Sequence, residues 1–172
     1  PEIWINCAER TGIEELRLTT RDIPDYDELM SGRLAILDEN DLKLADIQEV
    51  IGTLEPLEGA KAFLDELRSI TQVVILSDTF EEFAGPLMRQ LAWPAILCHQ
   101  LEIDSEGRVA NYRLRQPDQK CSAVAAFRGL NYKVIAAGDS YNDTTMLDEA
   151  DAGILFCPPQ NVIDEFPQFP VA

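Results

Sequence analysis

The sequence is poor in positive charge and holds a single histidine. Its 14 Lys and Arg residues stand against 31 Asp and Glu residues, so the formal net charge is −17 at pH 7. Such an acidic chain is disfavoured as a partner of nucleic acid or of anionic membrane surfaces, both of which bind basic side chains. His99, the only histidine, follows an apolar segment and is interpreted as a structural residue.

Cysteine and long apolar runs are also scarce. The four cysteines stand far apart and form no C-x-x-C pair, which argues against a zinc or dithiol site; they are Cys7, Cys98, Cys121 and Cys157. Reduced, mostly buried thiols of this kind are typical of a cytoplasmic protein. No apolar run approaches the length of a transmembrane helix, so no membrane partner is expected.

Helix and strand patterns divide the chain into two regions. Residues 1–55 carry apolar side chains at helical spacing, with Asp25 as a predicted N-cap, and indicate a small helical bundle. Residues 56–172 alternate between helices and strands, which predicts a parallel α/β sheet. The predicted strands lie in "QVVILSDT", "AILCHQLEI", "KVIAAGDS" and "AGILF", the second leading into a hairpin with "RVANYRLR". The helix "FEEFAGPLMRQL" is expected to be strained or broken near Gly85-Pro86.

Polar residues follow two of the predicted strands, where α/β proteins bind their ligands. Ser77-Asp78-Thr79 ends one strand, and the segment from Asp139 to Asp143 ends another. A hydroxyl and backbone amides at a helix start can bind an anion, and two carboxylates suit Mg²⁺. With Lys120 as a nearby cation, this set is typical of phosphoryl transfer. Each residue also has a structural alternative, as a helix cap, a turn residue or an exposed lysine.

The order of these residues resembles a known family. Ser77, Lys120 and Gly138-Asp139-x-x-Asn142-Asp143 resemble motifs two, three and four of the haloacid dehalogenase-like superfamily. The resemblance is closest to the group of phosphoserine phosphatases in pseudomonads that also transfer phosphate to homoserine. Other phosphoserine phosphatases carry Ser-Gly-Gly where this chain has Ser-Asp-Thr. The segments that carry the closer similarity are "VVILSDTF", "LMRQL", "LEID", "IAAGDSYNDTTML", "NVIDEFPQFP" and "TTRDIPDY".

The resemblance implies a fold and a departure from it. The implied architecture is a doubly wound parallel, Rossmann-like sheet, with residues 1–55 as a small helical cap and residues 56–172 as the core. Motif one, the DxD or DxE strand with the aspartyl nucleophile and general acid, is not found and is expected just before residue 1. That strand would be central in the sheet, so we expect a strand-wide gap between "VVILS" and "VIAAG". The C-terminal end of the core is likewise expected to be missing.

The resemblance also implies roles for residues of the core. Ser77, with Asp78 and Thr79 after it, is implied to hold the phosphoryl oxygens, and Lys120 to neutralise them and orient the nucleophile. Asp139 is implied to bind Mg²⁺ directly. Asp143 is implied to support either the metal or Lys120, and Asn142 to contact the substrate.

In the cap, three further residues are implied to recognise an amino-acid phosphate. Arg33 matches the arginine that binds the substrate carboxylate, and Tyr26 matches an aromatic residue over the site. Glu2 matches the acidic residue that faces the substrate ammonium group, with a surface glutamate at a helix start as the alternative.

The implied activity is a Mg²⁺-dependent phosphoserine phosphatase that forms an aspartyl-phosphate intermediate. Homoserine is a second candidate acceptor beside water, and a homodimer is a candidate assembly. The alternative is a truncated, non-catalytic module that binds Mg²⁺ and phosphate. A receiver-like module is disfavoured because Lys120 precedes the acidic pair Asp139 and Asp143 in the sequence.

Overall fold

The chain folds into two compact units, Pro1–Leu114 and Arg115–Ala172. The structure, a computed structural model, describes residues 3–19, 22–23 and 25–172. Glu2, which the resemblance assigns to the substrate ammonium group, lies outside the described residues.

The first unit begins with helices, as predicted for this region. They are α1 (Ile3–Thr11), a 3₁₀ turn (Glu14–Arg17), α2 (Tyr26–Glu39) and α3 (Leu44–Gly52). Asp25 caps α2 as predicted, because its Oδ1 accepts a hydrogen bond of 2.9 Å from the amide of Glu28. These helices share a core whose largest fully buried members include Leu16, Met30, Leu37, Ile51 and Phe83. Each such side chain contributes roughly 1.5–3 kcal/mol of hydrophobic stabilisation.

The first unit continues with a three-stranded sheet. Its elements are α4 (Ala60–Ile70), β1 (Val74–Phe80), α5 (Glu81–Gln90), β2 (Ala95–Ile103) and β3 (Val109–Arg113). β1 pairs with β2 in parallel, and β2 pairs with β3 in antiparallel orientation. The predicted hairpin is confirmed. Its turn is closed by Asp104, whose Oδ1 accepts hydrogen bonds from the amides of Glu106 and Arg108 at 2.8 and 2.9 Å.

The pairing of β1 with β2 is interrupted at the first polar motif. Leu76 pairs with Leu97 and Phe80 with His99, so four steps along β1 match only two along β2. Such a bulge re-aims side chains and is common beside functional sites. Ser77, Asp78 and Thr79 therefore lie in the irregular part of the β1–β2 pairing, shortly before α5 begins.

The sequence predicted a strained or broken α5; the break is wrong, because the helix runs through Pro86 without interruption. Proline has no amide hydrogen, so Pro86 cannot donate to the carbonyl of Glu82 four residues earlier. The side-chain amide of Gln48, on α3, donates to that carbonyl at 2.7 Å instead. A residue 34 positions away thus supplies the hydrogen bond that the helix lacks.

The second unit is a smaller α/β arrangement. It contains α6 (Gln119–Gly129), β4 (Ile135–Gly138), a 3₁₀ turn (Tyr141–Asp143), α7 (Thr144–Glu149), β5 (Ala152–Leu155) and α8 (Gln160–Glu165). β4 and β5 pair in parallel, and Val171 near the C-terminus adds a parallel bridge to Leu155. The polar segment from Asp139 to Asp143 follows β4 directly, as predicted.

The α/β class with parallel strand pairs is confirmed. Among the described residues the strands form two sheets, β1-β2-β3 in the first unit and β4-β5 in the second. A strand between them, and a division into residues 1–55 and 56–172, stay predictions. Within the described part of the chain, no helix combines the length and the apolar character needed to cross a membrane.

The Gln48 hydrogen bond yields a stability prediction. Replacing Gln48 by Ala should lower the free energy of unfolding by about 1–3 kcal/mol, because the Glu82 carbonyl loses its partner. In a Pro86→Ala background the same replacement should cost much less, since the amide of residue 86 then donates within the helix. Urea unfolding of the two single variants and the double variant measures the difference. Equal losses in both backgrounds would contradict this account of α5.

Candidate active site

The loop after β4 is organised around an inward-facing carboxylate, that of Asp143. This residue is only 7% exposed. Its Oδ2 accepts hydrogen bonds from the amides of Asp139 and Ser140 at 3.1 and 3.2 Å, and from the Ser140 hydroxyl at 3.0 Å. The three donors hold the loop in a tight turn, which leads into α7.

Gly138 makes this turn possible at the end of β4. A Cβ at residue 138 would lie 2.5–2.7 Å from the Cβ, Cγ and Oδ2 atoms of Asp143. No side chain fits there unless Asp143 moves. The Gly-Asp start of the motif therefore serves a packing purpose, because the absence of a Cβ lets the carboxylate lie against the strand.

Lys120 is the second partner of the buried carboxylate. Its Nζ lies 2.9 Å from Oδ1 of Asp143, and the two side chains are only 11% and 10% exposed. Burial acts to raise the pKa of Asp143, but the hydrogen bond and charge of Lys120 and the donors of Ser140 outweigh it. The pKa of Asp143 consequently lies below its ordinary value, and the group is ionised at neutral pH.

A hydrogen bond that the sequence analysis missed positions the start of α6, where Lys120 lies. The hydroxyl of Thr145, on α7, donates to Oδ1 of Asp118 at 2.9 Å. Asp118 precedes α6 in the left-handed backbone region, with φ at 42°. The sequence shows that an Asp precedes a predicted helix. It does not show that the partner of this Asp, Thr145, lies on another helix.

Asp139 and Asn142 differ from Asp143 because both are exposed. Among the described residues, no hydrogen bond or ion pair engages the carboxylate of Asp139. Mg²⁺ is usually held by one or two carboxylates together with waters and substrate phosphates. Asp139 fits that role with its available oxygens. Asp143, already bonded to Lys120 and three further donors, is suited to supporting Lys120 and the loop.

No larger metal-binding cluster is present in the described ranges. Within them, no group of three or more His, Cys, Asp or Glu side chains is arranged to hold a metal ion. Direct binding of a metal ion by Asp139 therefore stays a prediction. Support of that metal ion by Asp143 also stays a prediction.

The bulge in β1 holds the predicted phosphate-binding residues of the first unit. The amide of Thr79 donates to the hydroxyl of Ser77 at 3.3 Å, a local turn that fixes this hydroxyl. Nε2 of His99 lies 3.9 Å from Oδ1 of Asp78. His99 is 5% exposed, which agrees with a structural role, but it also lies beside a candidate site residue. The sequence analysis missed this contact because it depends on the strand register.

Arg33 and Tyr26 lie together in the same unit. The Arg33 guanidinium is 4.6 Å above the centre of the Trp4 ring, and its Nη2 donates to the carbonyl of Leu18 at 2.7 Å. Burial raises the pKa of Tyr26 to about 12, while the charge of Arg33 lowers it and that of Asp78 raises it. The charges of Arg33 and Asp78 thus act in opposite directions on the pKa of Tyr26.

Each unit thus gathers its own predicted residues. Tyr26, Arg33 and the Ser77-Asp78-Thr79 bulge belong to the first unit, and Lys120 with the segment from Asp139 to Asp143 belongs to the second. Their individual roles toward a substrate stay predictions.

Two segments match the letters of motif one but serve other purposes. Asp25-Tyr26-Asp27 begins α2, where Asp25 is the cap and Asp27 accepts a hydrogen bond from the Tyr112 hydroxyl. Asp104-Ser105-Glu106 is the turn of the β2–β3 hairpin. Neither segment follows a parallel strand into a helix, as a nucleophile motif would.

Comparison with known proteins gives the family. Residues 6–151 match the model described as haloacid dehalogenase-like hydrolase. The chain belongs to this family.

Two relatives support the assignment, and a solved structure shares the fold. The chain is 69% identical over 170 residues to "Phosphoserine phosphatase ThrH" of Pseudomonas aeruginosa, covering 99% of this chain and 83% of that protein. It is also 69% identical over 170 residues to "Phosphoserine phosphatase" of Pseudomonas syringae pv. tomato, covering 99% and 72%. The fold is similar to a crystal structure of phosphoserine phosphatase in apo form, with a TM-score of 0.74 at 22% identity over 96% and 82% of the chains. The loop that Asp143 organises therefore lies within the part of the chain that matches the family.

The Lys120–Asp143 pair yields a second stability prediction. Lys120→Met or Asp143→Asn should each lower the free energy of unfolding by about 3–5 kcal/mol, because each removes one partner of a buried ion pair. The double variant should lose much less than the sum of the two. The exposed pair Lys61–Asp65, 2.6 Å apart, is the matched control and should show little coupling. Chemical unfolding of both double-mutant cycles tests this, and additive losses at Lys120 and Asp143 would contradict it.

Proposed function

We propose that the protein is a Mg²⁺-dependent phosphoserine phosphatase that works through an aspartyl-phosphate intermediate. The observation that carries the proposal is the loop after β4, where Asp143 is bonded to Lys120 while Asp139 keeps an exposed carboxylate. A fixed cation beside an available metal ligand is what phosphoryl transfer requires. The two 69% identical relatives, both named phosphoserine phosphatases, support the substrate. They do not favour the alternative of a non-catalytic module.

In this proposal Lys120 neutralises the phosphoryl oxygens. Its ammonium group is a compact charge on a flexible stem, and Asp143 at 2.9 Å restricts where that stem can point. The Ser77 hydroxyl and the amides after it are assigned to binding of phosphoryl oxygens. Asp139 would hold Mg²⁺, which would supply positive charge to the phosphoryl oxygens when bound.

Recognition of phosphoserine is assigned to the first unit. The Arg33 guanidinium, held against Trp4 by a cation–π contact, binds the substrate carboxylate. Packing of this kind restricts the side chain before substrate arrives, which reduces the entropy lost on binding. Tyr26 lies over the substrate, and Glu2 binds its ammonium group.

The nucleophile of the proposed mechanism is an aspartate on a motif-one strand preceding residue 1. Its carboxylate attacks phosphorus and the serine oxygen leaves, and water then cleaves the acyl phosphate. Homoserine is the second candidate acceptor, since its hydroxyl would attack the same intermediate. The Ser77-Asp78-Thr79 sequence, in place of Ser-Gly-Gly, supports this second reaction.

The nucleophile assignment predicts the activity of the chain. The 172 residues alone should not hydrolyse phosphoserine, because they lack the attacking carboxylate. Adding an N-terminal DxDx strand, to give what we name the restored enzyme, should bring activity that a chelator abolishes. Asp139→Ala should abolish it too, whereas Asp148→Asn, which changes an exposed carboxylate on α7, should not. Phosphate release measures each. Hydrolysis by the 172 residues alone would refute the nucleophile assignment.

The role of Arg33 predicts a change in specificity. Arg33→Ala in the restored enzyme should reduce kcat/KM for phosphoserine by an amount equivalent to about 2–5 kcal/mol, because the substrate carboxylate loses its partner. An aryl phosphate, which has no such carboxylate, should be affected far less. Arg33→Lys should recover part of the loss, since it keeps the charge but not the planar fork.

The control for Arg33 is Arg10→Ala, which removes an exposed arginine of the same unit that pairs with Glu49. It should leave the kcat/KM values for both substrates unchanged. Equal losses on phosphoserine and the aryl phosphate in Arg33→Ala would assign Arg33 to folding alone.

A further inference from the structure

The C-terminal segment "NVIDEFPQFP" has no part in the mechanism described so far. It forms α8 and the turn after it, and both lie against the loop that follows β4. The contact is made through Tyr141, which stands between Ser140 and Asn142 in the second polar motif. Among the described residues, no hydrogen bond or ring contact joins the Tyr141 side chain to the groups proposed to contact phosphate or metal.

The phenol of Tyr141 is held by two side chains of α8. Its hydroxyl donates to Oε2 of Glu165 at 2.7 Å and accepts from Nδ2 of Asn161 at 3.3 Å. The hydroxyl thus has both a donor and an acceptor partner, which fixes its orientation. A charged acceptor makes the bond to Glu165 the stronger of the two.

The ring and the backbone of Tyr141 are fixed as well. The ring packs edge-on against Phe166, with centres 5.7 Å apart and planes at 74°. Phe166 stacks in turn on Phe169, at 6.4 Å and 24°. The carbonyl of Tyr141 accepts a hydrogen bond of 2.9 Å from the Thr144 hydroxyl. Tyr141 is therefore attached to α8 through its side chain and to α7 through its backbone.

We propose that four residues form a clamp that positions Asp139 and Asn142. The clamp consists of Tyr141, Asn161, Glu165 and Phe166. Its effect on catalysis rests on the proposed function, whereas its effect on the loop does not. Asp143 holds the loop from the inside, through the amides of Asp139 and Ser140. The clamp holds the same loop from the solvent side. These four are positioning residues, since they act on the exposed site residues through the 3₁₀ turn that joins them.

The loop needs an outer attachment because its two exposed site residues have none of their own. Among the described residues, no hydrogen bond or ion pair engages the side chain of Asp139 or of Asn142. Their placement consequently depends on the backbone between them, and Tyr141 is the residue of that backbone with a side chain fastened to another element. A site whose supporting residues are loose loses the geometry that phosphoryl transfer requires.

The test removes the hydroxyl of Tyr141 while keeping its ring. In the restored enzyme, Tyr141→Phe and Glu165→Ala should each speed hydrogen exchange at the amides of Asp139 and Ser140 by about 3- to 10-fold. Glu165→Gln should stay close to the parent, since its side-chain oxygen still accepts the bond. The double variant Tyr141→Phe/Glu165→Ala should exchange no faster than Tyr141→Phe alone, because that variant already removes the bond to Glu165.

The matched control is Tyr132→Phe, which removes an exposed hydroxyl of the same unit from a ring packed edge-on against Phe127 at 6.5 Å. Exchange is followed by NMR, with the amides of β5 as an internal reference. If Tyr141→Phe speeds exchange no more than Tyr132→Phe does, or speeds β5 equally, the clamp is refuted.

Turnover then separates the clamp from the proposed function. Tyr141→Phe should lower kcat for phosphoserine about 3- to 10-fold with little change in KM, while Tyr132→Phe leaves both unchanged. An unchanged kcat in Tyr141→Phe would overturn the catalytic consequence of the clamp. If the restored enzyme itself does not hydrolyse phosphoserine, the proposed function fails, while the exchange measurement still decides whether the clamp holds the loop.

Discussion

The buried carboxylate of Asp143 is the constraint on which the candidate site depends. One of its oxygens faces Lys120 at 2.9 Å, and the other gathers three donors from the loop after β4. A carboxylate with this little exposure is stable as an anion only if its lone pairs are bonded. The need to satisfy it therefore fixes both the path of the loop and the direction of the lysine.

The same constraint explains the small residue before the loop. Asp143 lies so close to β4 that a Cβ at Gly138 would come within 2.7 Å of its side-chain atoms. A longer distance would weaken the bonds to the amides of Asp139 and Ser140, which hold the turn. The charge of Asp143 is thus surrounded by Gly138, the amides of Asp139 and Ser140, the Ser140 hydroxyl and Lys120. Asp139 is left outside it, and this is why the two carboxylates of the motif are suited to different tasks.

The sequence predicted the local elements well and the long-range contacts poorly. The hairpin at Asp104, the cap at Asp25 and the strand before Gly138 were all predictable, because each depends on residues close together in the sequence. The break expected at Pro86 was wrong because the compensating donor, Gln48, lies on another helix. Spacing alone did not distinguish Asp139 from Asp143, because it does not say which carboxylate turns inward; only the resemblance implied different roles for them. The resemblance to the family supplied the function, which composition and spacing could only narrow to phosphoryl transfer.

The two polar motifs, Ser77-Asp78-Thr79 and the segment from Asp139 to Asp143, lie where the pairing of a parallel strand is interrupted or ends. The reason is physical. A regular ladder consumes the backbone amides of its strands, so donors for a ligand are available only where pairing is interrupted. In β1 the interruption is the bulge at Ser77-Asp78-Thr79, and in β4 it is the end of the strand at Gly138. After each interruption a helix or a 3₁₀ turn begins, which orients further amides in the same direction. In the loop after β4 two of those amides, of Asp139 and Ser140, go to a side chain of the protein itself. Asp143 accepts the hydrogen bonds of these two amides from the inner side of the loop. The loop can therefore expose the carboxylate of Asp139 without leaving its own amides unbonded.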